Sequence, residues 1–338
     1  MWTLRIHHSV RSLGHVMTKH AAAAQCLHVG LVTCAELPQL DEDTHCLIAP
    51  LAAHGVSATP AVWDDSDVDW KPYDLVVVRS CWDYVRRRSA FLNWAQSVTQ
   101  LANSAPLVAW NTDKRYLRDL ETRGVAVVPT TWLSSYDSWA EPTAGTCVIK
   151  PAVGMASLDA GRYRMGDSDQ RQLALGHVRR FQAAGRLAMV QPYLSRIEKD
   201  GEMSLVYLRA VFSHALRKRA VLTGPDEGVD RRFQPRGGPK LELCQPTEEQ
   251  LATAERVLAA VPGGREALLY ARVDLIPDDD GKPFLMEVEL TELQLYFGYE
   301  HTAADRWPLP FATRLVQRER GDKHYATGKN RGRAGEGL

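Results

Sequence analysis

The chain has 338 residues, 45% of them hydrophobic and 24% charged, ordinary values for a globular protein with room for two or three subdomains and a sizeable core. Lysine plus arginine and aspartate plus glutamate both number 41, so no overall field selects nucleic acid or a membrane surface as partner. No apolar run approaches the roughly 20 residues of a membrane span, and six cysteines without CxxC or metal-ligand spacing read as buried free thiols of a reducing, cytoplasmic compartment.

Residues 1–25 read as a disordered N-terminal extension outside the fold. Residues 1–35 hold no Asp or Glu, which faintly resembles a transit peptide, but an upstream start with Met17 as a second candidate initiator is the simpler account. A strand over 28–34 ends near Thr33, and the stretch LPQLDEDTHCLIAPLAAHG predicts a helix ending at Gly55, kinked at Pro50. Strands follow over 57–63 and 74–81, then a helix over 89–101 and a closing strand over 106–110. Strands alternating with helices argue a parallel α/β domain over 26–112. In such sheets ligands bind beyond the carboxyl ends of the strands. Thr33, Arg79, Ser80, Trp82 and Asp83 therefore become candidates for holding a substrate, with local capping or pairing an equal alternative for each.

From Asn111 the texture changes to α+β. NTDKRYLRDLETRGV predicts a helix capped by Asn111 or Thr112 and ended by Gly124. VAVVPTTWL, TCVIKPAVG, AMVQPYL, EMSLVYLRA and VFSHALRKRAV read as strands, the last two as a hairpin turning at Arg209-Ala210. Thr247 and Gln250 form a capping box that opens a helix over 247–261. Residues 224–240 read as a basic loop and 321–338 as a disordered tail.

The chain 271–292 holds a hairpin, with Asp280-Gly281 as a two-residue type I′ turn. That register opposes Asp274 to Glu287 and Arg272 to Glu289, all on one face, at ~5 Å between Cβ atoms. Val273, Leu275, Met286, Val288 and Leu290 fall on the other face and suit a core. Opposed carboxylates repel, and a hard divalent cation such as Mg²⁺ resolves the repulsion. A solvated acidic face is the plain alternative. Lys114 opens a helix, and Lys150 ends an apolar strand before a loop holding Val153, Gly154 and Gly161. A lysine so placed, with free backbone N–H groups, suits phosphate oxygens, although each lysine alone is more often a solvated charge. AMVQPYL leads a strand into Gln191-Pro192-Tyr193-Leu194, where proline frees an edge that can face a purine, or simply ends the strand.

The order Lys114, Lys150, QPYL, Gly201-Glu202, HALRK, RVD and MEVE resembles the ATP-grasp superfamily, and more closely its glutathione-synthetase-like ligases, over about residues 28–310. LVTCAELPQLDED, VVVRSCWDY and WNTDKRYL are similar to the leading domain of bacterial ligases of this type, including the cyclising, D-cycloserine-forming kind. The resemblance implies an ATP-grasp fold behind an N-terminal parallel α/β domain. A small subdomain would span 113–190, and a C-terminal subdomain with the metal site would span 191–320. It implies that Lys114 and Lys150 contact ATP phosphates under the 153–161 loop with Val153 and Gly154, and that Gln191, Pro192, Tyr193 and Leu194 line the adenine pocket with Glu202 towards the ribose. Arg217 and Arg232 would face the phosphoryl group, with Arg272 a third catalytic candidate. Asp274, Glu287 and Glu289 would hold Mg²⁺, two ions in all. Gly237 and Gly238 join the substrate-side candidates from the basic loop. Glu289 stands where relatives commonly carry Asn, so it can also answer to Arg272. LTELQLYFG lacks the Pro-Gly of many relatives, and GMASLDAG is poorer in glycine than their loops.

The expected activity is an ATP- and Mg²⁺-dependent ligase joining a carboxylate to an amine through an acyl phosphate, on small-molecule substrates, with no nucleic acid or membrane partner. A homodimer is the commonest assembly in general. Alternatives are an intramolecular cyclising ligase, a phosphotransferase that keeps the phosphoryl group on its product, and an inactive nucleotide-binding protein.

Overall fold

In the computed structural model, the structure describes residues 27–134, 137–226 and 240–306. The expectations on residues 1–25, on Arg232, Gly237 and Gly238, and on the tail fall outside these.

The leading part is a four-stranded parallel sheet. It comprises β1 (Leu27–Thr33), β2 (Val56–Val62), β3 (Leu75–Ser80) and β4 (Leu101–Ala102), in the order β2-β1-β3-β4. β3 is buried throughout, as its unbroken apolar run demands. The expected helix after β1 is two short ones, α1 (Glu42–His45) and α2 (Ile48–Ala53). Asp41 caps the first through Thr44 N at 3.3 Å, and Pro50 sits in the first turn of the second, where a missing N–H costs little.

Helix α3 (Arg88–Ser97) covers the sheet with Phe91 and Ala95. Two expectations are corrected next. Residues 106–110 are not a strand but lie in α4 (Ala105–Asn111), where Pro106 sits at the helix start and Leu107 and Val108 are buried. The helix expected from Asn111 starts later, as α5 (Tyr116–Thr122), so Lys114 lies in the connection between the two helices.

A second sheet has β5 (Thr131–Leu133), β6 (Thr146–Pro151), β7 (Gly161–Arg164) and β8 (Ala188–Pro192) in the antiparallel order β5-β8-β6-β7. Of the strand expected over VAVVPTTWL only Thr131–Leu133 forms, and Val127 makes an isolated bridge to Leu285. A helix with no counterpart among the expected elements, α6 (Ser168–Ala183), buries Ala174, His177, Val178 and Phe181 on this sheet behind an Asp167 cap. Its signal was present in the spacing of those residues. Because β8 pairs into this sheet, it crosses the expected 190/191 boundary and belongs with the preceding residues.

A short helix, α7 (Ile197–Asp200), leads into the third sheet. That sheet is built from β9 (Glu202–Leu208), β10 (Val211–Lys218), β11 (Leu241–Cys244), β12 (Tyr270–Pro277) and β13 (Pro283–Glu289), in the antiparallel order β11-β10-β9-β12-β13. β9 is buried at every residue. It turns into β10 at Arg209 and Ala210, with φ of 48° and 60°, the left-handed pair of a two-residue hairpin at the expected place. Helix α8 (Glu248–Ala260) opens with the expected capping box, Thr247 to Gln250 N at 3.2 Å and Gln250 to Thr247 N at 2.9 Å. It packs Ala254, Val257 and Leu258 against Met203, Leu205 and Val273 in one core, where each fully buried Leu or Val contributes about 1.5–3 kcal/mol.

A second core joins Val29, Leu31 and Val77 of the leading sheet to Val206, Leu216 and Tyr270 of the third. Side-chain amides fasten this junction. Asn103 donates to the carbonyls of Tyr270 (3.0 Å) and Leu290 (2.7 Å) and accepts from Leu269 N (2.7 Å). Asn111 bridges Val288 O (2.7 Å) and Leu290 N (2.8 Å), so the leading part grips the β12–β13 hairpin directly.

Candidate active site

The hairpin face carries the expected residues by a route the sequence did not show. Arg272 opposes Glu289, and Asp274 opposes Glu287. The turn, however, is not a two-residue type I′ loop. Asp278 N bonds Lys282 O at 2.9 Å around a three-residue loop, Gly281 sits at φ 89°, and Asp278 Oδ1 accepts from Asp280 N (3.0 Å) and Lys282 N (2.7 Å). This shifts the register by one residue, and a bulge at Met286 shifts it back between Leu275 and Asp274. Two one-residue deviations cancel at the carboxylates. The bulge also corrects the face of Met286: it lines the cleft, and Leu285, with no exposed surface, takes the core position.

These side chains form one wall of a cleft of 1120 Å³. Lys150 Nζ lies 3.1 Å from Glu287 Oε1, and Lys114 Nζ lies 3.7 Å from Glu287 Oε2 and 2.6 Å from Gly154 O. Burial alone would raise the Glu287 carboxyl, but Lys114 and Lys150 hold it down at about 2. Arg272 donates to both oxygens of Asp274, at 2.9 Å from Nε and from Nη2, and reaches Glu289 Oε1 at 2.6 Å. Its guanidinium also lies 5.2 Å from the Tyr296 ring centroid and donates to Gln294 O at 2.9 Å. Burial, with Asp274, Glu287 and Glu292 adding repulsion against the pull of Arg272, pushes Glu289 up to about 8. Burial pushes Glu292 up to about 7. Four carboxyl groups, those of Asp274, Glu287, Glu289 and Glu292, share this wall with three cations, Lys114, Lys150 and Arg272.

The donor set therefore suits a hard divalent cation, which takes carboxylate oxygens. It is not a closed cage. Among the described residues, the set of cysteine, histidine or carboxylate groups whose ligand atoms all lie within 4.8 Å of one another is Cys34, Glu36 and Asp83, not the hairpin residues. Asp274 and Glu289 are tied by Arg272 and Glu287 by the two lysines, so the expected pairing of Glu289 with Arg272 is present.

The cleft is also lined by Gln191, Pro192, Tyr193 and Leu194, from the second sheet and the segment after it. β5 pairs only as far as Val190, so Gln191 and Pro192 overhang it while still paired to β6. Gln191 donates to Thr130 Oγ1 at 2.9 Å, and Tyr193 carries the Arg162 guanidinium 3.9 Å from its ring centroid. Glu202 is buried in the cleft and paired with Lys218 Nζ at 2.8 Å; burial raises its carboxyl above the ordinary range. Burial opposes the charge of Lys218, yet Glu202 and Asp274 hold its ammonium above the usual lysine value. Lys218 was not among the expected site residues. Strand alternation places it in the cleft and leaves the expected Arg217 exposed on the other face, a correction. Val153 likewise turns away and packs on the leading sheet's core, while Gly154 lines the cleft.

The substrate-side expectations mostly turn inward. Arg79, with 2% exposure, donates from Nε to Thr44 Oγ1 at 3.2 Å, lies 3.8 Å from Asp43 and sits over Tyr270. Ser80 donates to Asp41 Oδ1 at 2.7 Å, and Thr33 to Leu37 O at 2.6 Å. Asp83 accepts from Trp63 Nε1 at 3.0 Å and pairs with Arg87. Trp82 alone of this set lines the cleft, with Nε1 donating to Glu292 O at 3.2 Å. Asp43 was not anticipated: its buried carboxylate accepts from the backbone N–H of Leu295 (2.7 Å), Tyr296 (3.0 Å) and Phe297 (2.6 Å), and so fixes the cleft floor.

A family profile described as D-cycloserine synthetase DcsG, N-terminal domain, matches residues 29–105. The cycloserine biosynthesis protein DcsG of Streptomyces lavendulae is 34% identical over 305 residues, which cover 85% of this chain and 98% of that protein. The chain belongs to the DcsG family of ATP-grasp ligases. The crystal structure of D-cycloserine synthetase DcsG matches it with a TM-score of 0.75 at 32% identity, over 85% of this chain and 99% of that one. The D-alanine–D-alanine ligase of Bacillus anthracis complexed with ATP shares the fold, with a TM-score of 0.59 at 13% identity over 88% of this chain and 99% of that one. As a DcsG-family member, the chain is an ATP-dependent ligase with the expected combination of a parallel α/β part and antiparallel sheets. Among the described residues, no helix is long and apolar enough to cross a membrane.

Proposed function

We propose that this DcsG-family ligase activates a carboxylate as an acyl phosphate and closes it onto a nitrogen of the same molecule, releasing ADP and phosphate. The observation that carries the reading is the convergence of Lys114 and Lys150 on Glu287, on the wall that also holds Asp274, Arg272 and Glu289. Two ammonium groups beside a carboxylate-lined wall suit a polyphosphate whose charge the lysines share. The overhanging Gln191–Leu194 segment supplies the flat pocket for the base, with Glu202 nearby for the ribose.

In the first step a carboxylate oxygen attacks the γ-phosphorus and the bond to the ADP oxygen breaks. In the second the nitrogen attacks the carbonyl carbon, inorganic phosphate leaves with its electron pair, and the nitrogen gives up a proton. The residues act by position and charge: Lys114 and Lys150 hold phosphate oxygens, Arg272 fixes the carboxylates, and Lys218 adds positive charge where Arg217 was expected to. Mg²⁺, expected as two ions, would be held by Asp274, Glu287 and Glu289 and would neutralise charge developing between the β- and γ-phosphates.

The cyclising form rests on the relative's own product. Breaking the ring amide of D-cycloserine on paper leaves a D-serine whose side-chain oxygen carries a nitrogen, so one small molecule holds both reacting groups. The test is ADP and phosphate release from ATP with O-amino-D-serine, followed by product mass. Equal ADP and phosphate with a product one water lighter than the substrate is expected. A phosphorylated product would establish a phosphotransferase instead, and no turnover with this substrate alongside amide formation between a separate amino acid and amine would establish intermolecular ligation.

A further inference from the structure

The loop between β6 and β7 is short of glycine yet adopts glycine-like backbone. Ala156, Ser157 and Asp159 have φ of 48°, 57° and 54°, the left-handed region that L side chains occupy at a cost. Two successive turns, Leu158 N to Met155 O at 2.9 Å and Ala160 N to Ser157 O at 3.1 Å, hold the coil, and Ala156, Ser157 and Leu158 line the cleft. Asp159 points away from the cleft to an anchor: Arg186 Nη1 lies 2.6 Å from its Oδ2. Arg186 is itself held at the end of α6, its N–H bonding Phe181 O at 2.9 Å and its guanidinium lying 4.8 Å from the Phe181 ring centroid. A pre-ordered guanidinium loses less freedom on pairing than a free surface arginine does. At the loop's other end, Lys114 Nζ donates to Gly154 O at 2.6 Å.

We infer that the Asp159–Arg186 ion pair is a positioning device for the nucleotide: it holds the strained loop in its cleft-lining form before ATP arrives, in place of the conformational freedom that glycines would give. The inference rests on the proposed nucleotide site between Lys114 and Lys150. Neither Asp159 nor Arg186 touches the nucleotide. Their contribution is the population of the ordered loop, so it enters affinity as that fraction.

The experiment is a double-mutant cycle, Asp159→Ala, Arg186→Ala and both together, with AMP-PNP and Mg²⁺ titrated by calorimetry and thermal unfolding measured alongside. Each single variant is expected to bind about fivefold more weakly, the upper range for a partly exposed pair. The double variant is expected to bind no more weakly than either single one, because the two residues act through one contact. Arg186→Lys should recover part of the loss. An unchanged dissociation constant, even with a lower unfolding temperature, overturns the inference by making the pair merely structural. Tighter binding in the single variants overturns it by showing that the pair holds the loop away, and additive losses overturn the pairing. Failure of the unmodified chain to bind AMP-PNP would instead defeat the nucleotide site itself.

Discussion

The β12–β13 hairpin and the strand ends of the leading sheet make opposite use of their polar residues. On the hairpin, Arg272, Asp274, Glu287 and Glu289 all present their charges to the cleft wall. At the carboxyl ends of the parallel strands, the polar and charged groups of Thr33, Arg79, Ser80 and Asp83 bond within the protein itself. Both groups looked like site residues. An antiparallel strand has a period of two, so one known register assigns every side chain to a face. Past the end of a parallel strand there is no period, and the direction of a side chain depends on what packs against it. The lesson is that position near a ligand-binding edge says little until the neighbours are known.

The largest expected effect lies on the hairpin. Asp274→Asn should lower turnover about a thousandfold, the scale of losing a main electrostatic contact to the transferred phosphoryl group, while circular dichroism remains that of the unmodified fold. Near-normal turnover would remove the metal wall from the account. The contrasting substitution is Arg79→Met, which should cost about 3 kcal/mol in denaturant unfolding, because it strands the buried Asp43 carboxylate, and should leave the KM for ATP unchanged. A raised KM for the amino-acid substrate with unchanged stability would return Arg79 to the substrate site.

Neighbours on one strand give a finer comparison. Lys218→Met should weaken AMP-PNP binding, whereas Arg217→Met should change neither binding nor stability beyond about 0.5 kcal/mol. The reverse result would restore the arginine to the phosphoryl site.

The smallest effect is a pH slope. Glu289 titrates at about 8 in the fold, above its unfolded value. Its contribution to stability is therefore fully present below the unfolded pKa and is lost as pH rises through about 8. Metal-free protein should lose stability over that window, and Glu289→Gln or added Mg²⁺ should flatten the slope. Glu287, held at about 2, has the opposite sign: its contribution is present above the unfolded value and is lost only as pH falls towards 2.

What was legible follows the same division. The parallel and antiparallel parts, the capping box at Thr247 and the turn at Arg209-Ala210 were open to reading because each rests on a local rule. The opposition of Asp274 to Glu287 was right, although the turn proposed for it was wrong and a bulge made up the difference. Asp43 was hidden because its partners, three backbone N–H groups near residue 296, lie some 250 positions away and carry no side-chain signal. Asn103 and Asn111 were hidden for the same reason. Residues 106–110 were apolar and short, a run that periodicity alone cannot divide between strand and helix.

The most direct test of the hairpin as a metal-bearing wall is anomalous scattering from crystals grown with ADP and Mn²⁺. The account predicts manganese within about 2.2 Å of carboxylate oxygens from Asp274, Glu287 or Glu289. Manganese at Cys34, Glu36 and Asp83 with none at the hairpin would contradict it.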